Sequence, residues 1–157
     1  MSNLKVLRTY IKKNKNHDNS FWEVVGEATI RDYLTDFSAY DWDELISGLK
    51  YWPSDELIII AVALTELHLE PNLTDTNALY GFIFTLVENS EADYLIQHLD
   101  ILDDGRSKST SLINQIRNRI GTLETYTSKI HNVHDYSYYY DLMNTLVKES
   151  QIQGNCT

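Results

Sequence analysis

Residues 57–64 read Leu-Ile-Ile-Ile-Ala-Val-Ala-Leu, eight apolar side chains in a row, so no face of this segment is suited to water. The rest of the chain must therefore supply neighbours for it on every side. Its β-branched content leaves a buried strand open, and the flanks decide. Pro53 and Ser54 lead into Asp55 and Glu56, the composition of a helix N-terminus, where a preset φ, a capping hydroxyl and carboxylates at the positive end of the dipole all contribute. Downstream the text continues without a turn residue to Pro71. A unit of that length is ordinary for a helix and long for a strand, which predicts a central helix over residues 53–69.

The remainder of the chain agrees with a helical surrounding. Six glycines and two prolines among 157 residues are too few to turn an all-β chain every dozen residues. The expectation is an all-α fold of about eight helices in a single domain over 1–157, with 151–157 as a frayed tail. Leu4, Leu7 and Ile11 mark the first helix; Phe21, Ile30, Leu34 and Phe37 mark a second, capped by Asn19 or Ser20. Asp41 with Glu44 has the form of a capping box opening a third helix through Leu45, Leu49 and Trp52. Pro53 closes that helix and opens the central one, with almost no loop between them.

A fifth helix follows Thr74 or Asp75, and a sixth runs from Ser90 to Leu102, ended by Gly105. The longest amphipathic pattern, Leu112 to Ile130, makes the seventh, and Asp135 caps the eighth. Helices three with four and five with six look like consecutive antiparallel pairs, suggesting an irregular bundle or a HEAT-like stack of α-hairpins. Gly26, Gly48, Gly81 and Gly121 each fall inside a helix, where glycine costs up to about 1 kcal/mol against alanine; close helix approach is the expected compensation.

Charge is where the sequence speaks to function. Residues 1–35 hold six Lys/Arg against four Asp/Glu, residues 36–104 one against fifteen, and residues 105–157 six against four, for a net charge of −10. An acidic block of that density repels nucleic acid and anionic membrane surfaces and attracts a cationic partner. Solubility alone accounts for many acidic faces, but fifteen to one exceeds ordinary surface mixing. Asp100, Asp103 and Asp104 crowd a helix C-terminus, where carboxylates oppose the dipole and a partner's lysines or arginines would compensate them.

Catalytic signatures are sparse. The lone cysteine, Cys156, has no partner for a disulfide and no adjacent base. His131, His134 and Asp135 form the only dense cluster of ligand-type residues, and a third familiar ligand spacing is missing. There is no phosphate loop, nucleophile elbow, HExxH or CxxC. No cofactor, no metal and no enzymatic activity are expected. The N-terminus lacks the apolar core of a secretory signal and no run is long enough to span a bilayer, so a cytoplasmic protein is expected.

Asp41-Trp42, Leu49, Tyr51-Trp52-Pro53, Ala61 and Leu64, followed by the acidic helix with Asp93-Tyr94-Leu95 and His98-Leu99, resemble the small helical immunity proteins of bacterial contact-dependent growth inhibition systems. That resemblance implies a small cytoplasmic inhibitor, monomeric when free, that occludes a basic toxin domain, a nuclease and in particular an RNase. The acids expected to meet it are Asp41, Asp43, Glu44, Asp55 and Glu56 around the corner between helices three and four, with Asp100, Asp103 and Asp104. Tyr51 and Tyr94 are the expected aromatic anchors. Other readings are a phage-type DNA mimic, a helical scaffold, and a metal-dependent enzyme built on His131 and His134.

Overall fold

The stack is built outward from the all-apolar helix that the sequence singles out. A computed structural model describes residues 2–67, 73–104, 106, 108–130 and 135–155. Among these, every regular element is helical. α1 is Asn3–Asn14. α2 joins three contiguous segments, Asn19–Phe21, a π-helical turn Trp22–Gly26, and Glu27–Thr35. α3 is Ala39–Gly48, closed by a 3-10 turn Leu49–Tyr51, and α4, the central helix, is Ser54–Leu64. α5 is Thr76–Leu86; α6 is Asn89–Leu95 and continues as a 3-10 helix, Ile96–Leu102. α7, Thr110–Ile130, and α8, Tyr136–Asn155, form the most extensive helix pair. Over the described residues the fold is all-α, with eight helices around one core.

α4 packs against α1, α2, α5 and α6, so the expectation that it needs partners all round is met by helices from both halves of the chain. Leu57, Ile60, Ala61, Ala63 and Leu64 are buried among them. α5 in turn packs on α7, and α7 on α8, giving a layered order. The hairpin picture needs revision at α3, whose main neighbour is α1 rather than α4. Its start differs too. Ser38 is the N-cap and Asp41 the third helical residue, with each side chain accepting from the other's backbone N–H. The box thus stands three residues before the expected Asp41 and Glu44 pair, because the Ser38 hydroxyl and the Asp41 carboxylate satisfy the same two N–H groups that an Asp-x-x-Glu pair would.

Several ends are set by side chains from elsewhere. Ser54 does not cap its own helix: its Oγ accepts from the Glu88 N–H at 2.8 Å and so satisfies the start of α6. The buried Tyr80 hydroxyl donates to the Leu95 carbonyl at 2.5 Å, at the point where α6 tightens into 3-10 geometry. Gly81 shows the close approach expected of the interior glycines, since a Cβ there would come 2.7 Å from Ile116 Cδ1 of α7. α8 continues to Asn155, further than the expected fraying at 151. The predicted helix end at Gly105, and His68, Pro71, His131, His134 and Cys156, lie outside the described residues.

Candidate functional site

The acids expected to greet a partner are divided by the fold into two groups. Asp41 is buried: its Oδ2 accepts from the Ser38 N–H at 2.9 Å, the Ser38 hydroxyl at 2.8 Å and Asn3 Nδ2 at 3.3 Å. The Ser38 backbone bond above all holds its pKa below the ordinary carboxylate value. Glu56 is buried too, with its side chain 3% exposed against Arg8 Nε at 3.5 Å and Lys15 Nζ at 3.7 Å. Lys15 also pairs with Asp55 at 3.0 Å. Asp104 pairs with Lys108 at 2.6 Å, and Lys108 reaches Asp75 at 3.2 Å.

Asp41 and Glu56 are therefore buried groups engaged by this chain's own hydrogen bonds and cations, and Asp55 and Asp104 are paired with its lysines. The basic helix α1 lies against the acidic start of α4, which the linear charge pattern could not reveal. Asp43, Glu44, Asp100 and Asp103 remain exposed and enter no ion pair among the described residues. Tyr51 is exposed with Lys50 Nζ 4.9 Å from its ring centre. Tyr94 is 49% exposed on α6.

Tyr94 leads to a site the sequence did not name. One side of α4 is only partly covered: Ile58, Ile59 and Val62, at helical spacing, are half-buried and floor a groove of about 450 Å³. α2 supplies one wall with Trp22, Glu23 and Glu27, and α6 the other with Ser90, Glu91 and Tyr94. The Ser54 to Glu88 bond places the starts of α4 and α6 side by side, which sets Glu91 and Tyr94 along the floor.

Trp22 is packed by two neighbours in its own helix. Its ring stands nearly perpendicular to that of Phe21 with centroids 5.3 Å apart, and Phe21 is stacked on His17 at 4.1 Å. The indole also lies over Gly26, where a Cβ would overlap the ring. The glycine thus gives the ring room to lie back over the π turn, and π turns inserted in α-helices are frequent at functional sites. Val24 and Val25, on the same turn, are exposed.

Electrostatically the groove is negative. Glu27 pairs with Arg31 at 3.7 Å, yet desolvation outweighs that cation and raises the Glu27 pKa above its ordinary value. Glu23 has no cationic partner among the described residues, and Glu91 accepts from the neighbouring Ser90 hydroxyl at 2.7 Å. Asp100, beyond the groove along the same element, lies near enough to Tyr139 of α8 to help raise its pKa, after the larger effect of burial. The arrangement can hold an apolar stem and a positive head.

Among the described residues, no group of three or more His, Cys, Asp or Glu side chains could hold a metal ion, and no helix is long and apolar enough to cross a membrane. Trp22, Glu23, Glu27 and Glu91 were missed because each looks ordinary in its own helix. The pairing of Glu23 and Glu27 one turn apart beside Trp22 was the one available hint. Compared with family models, curated proteins and solved structures, the chain matches none.

Proposed function

We propose that this protein is an inhibitor that binds a cationic protein domain, in the way an immunity protein blocks a basic nuclease toxin, with an RNase the favoured target. The observation that carries the reading is the incompletely covered face of α4, an apolar floor between aromatic walls with Glu23 and Glu91 uncommitted to any cation among the described residues. A helix apolar on all sides that leaves Ile58, Ile59 and Val62 half-open has surface left to bury. Its acidic rim selects a positively charged cover. Exposed Asp43, Glu44, Asp100 and Asp103 add a negative field that speeds encounter and repels nucleic acid. Occlusion follows when carboxylates occupy the Lys/Arg groups that the toxin would use on phosphates.

The test is protection. Cells expressing this chain should survive a basic toxin domain encoded beside its gene, and the purified pair should bind with an affinity that falls steeply with salt. The variant Asp43→Lys, Glu44→Lys, Asp100→Lys, Asp103→Lys should slow association at least about tenfold at low salt while remaining helical by circular dichroism. Cells left unprotected, or association that is indifferent to both salt and the four reversals, would remove the proposal.

A further inference from the structure

We infer that the groove between α2, α4 and α6 is a receptor for one arginine side chain presented by a protein partner. This deepens the inhibitor reading and rests on it for the partner, though the chemistry of the groove stands on its own geometry. Ile58, Ile59 and Val62 offer an apolar bed for the three methylenes of an arginine stem. Trp22 and Tyr94 bring planar rings from opposite walls, and a guanidinium stacks on such rings as well as being attracted to their faces. Glu23 on α2 and Glu91 on α6 supply carboxylates, from two different helices, to a fork of N–H donors.

Lysine fits less well on each count. Its ammonium is compact and strongly hydrated, has no plane to lay against an indole, and cannot divide its donors between two carboxylates in a fixed fork. The volume, about 450 Å³, lies at the small end of the roughly 300–1,000 Å³ of small-molecule sites, enough for one long side chain and its adjoining backbone. Arg31, which pairs with Glu27 of the groove wall at 3.7 Å, also pairs with Glu66 at 3.4 Å and leaves Glu23 and Glu91 to the visitor.

Titration of the full-length ¹⁵N-labelled protein with Nα-acetyl-arginine N-methylamide tests this directly, with the lysine and norleucine analogues as controls. The Trp22 indole and the Glu91 and Tyr94 backbone amides should shift saturably with the arginine probe, and at least about threefold more weakly in Glu23→Gln and in Glu91→Gln. No saturable shift, an equal response to norleucine, or tighter binding of lysine each overturns the assignment. Glu23 is exposed and Glu91 half-buried, and unchanged amide spectra in the free variants establish that they fold. The two proposals separate cleanly. Toxin protection unaffected by Glu23→Gln with Glu91→Gln would remove the arginine site and leave the inhibitor, whereas probe binding without protection would do the reverse.

Discussion

Lys108 has the most thoroughly buried charge in the ion pairs of the described residues, and its removal should cost less than the removal of its partners. Its side chain is 1% exposed and its Nζ lies 3.2 Å from Asp75 and 2.6 Å from Asp104, whose side chains are 28% and 18% exposed. Lys108→Met leaves two carboxylates that can still turn to water. Asp75 continues to accept from the Asn77 and Ala78 N–H groups, and Asp104 from Asn77 Nδ2 and the Arg106 N–H. That variant should lose about 2 kcal/mol, below the 3–5 kcal/mol usual for a broken buried pair.

The converse double change, Asp75→Asn with Asp104→Asn, keeps the α5 cap but removes both counter-charges from an ammonium inside the fold, leaving it neutral acceptors, the amide oxygen at position 104 and the Arg106 carbonyl at 3.4 Å. It should lose the full amount, about 3–5 kcal/mol, or on the order of 10 °C in Tm for a chain of this size. The triple variant should recover most of that, since an apolar stem needs no counter-charge. Urea unfolding of the four proteins measures the cycle.

Acid provides an independent check. Burial raises the Asp104 pKa, but the Lys108, Arg106 and Asn77 hydrogen bonds together outweigh it and leave it below the ordinary value. A depressed folded pKa adds stability above the unfolded value, near pH 4, that disappears as pH falls through the folded one. Lys108→Met should therefore flatten part of the acid unfolding curve. If Lys108→Met proved the more damaging change, or the triple variant were no better than the double, the asymmetry worked from exposure would be wrong.

Gly81→Ala should destabilise by about 1–3 kcal/mol because its Cβ meets Ile116 Cδ1 at 2.7 Å and Leu102 Cδ2 at 3.2 Å, whereas Gly121→Ala, facing only the Tyr140 hydroxyl at 3.4 Å, should be neutral or gain up to about 1 kcal/mol; thermal unfolding in the opposite order would contradict this packing. Asp41→Ala should cost about 1–2 kcal/mol at neutral pH, and because the Asp41 pKa is depressed in the folded state the difference from wild type should close as pH drops below about 4. A gap that stayed constant through acid would mean that the carboxylate's charge is not what the box uses.

Local order was readable from the residues because its causes are local. Apolar spacing, Pro53 before an acidic pair, Asp75 before α5 and Asp135 before α8 act within a turn or two, so the helical class and the eight helices follow from the text. Leu57 to Leu64 announced a helix needing neighbours on every side, and four helices answer. What the text could not disclose is how far that answer goes. Glu56 and Arg8 stand 48 positions apart, and Asp75 meets a lysine beyond α6, so which carboxylates are neutralised depends on which helices come to lie together. The groove has the same origin. Ile58, Ile59 and Val62 became a floor, and Glu23 and Glu91 a rim, only when α2 and α6 settled on either side of α4 without closing over it. Composition counts charges, but packing determines which of them still face the water.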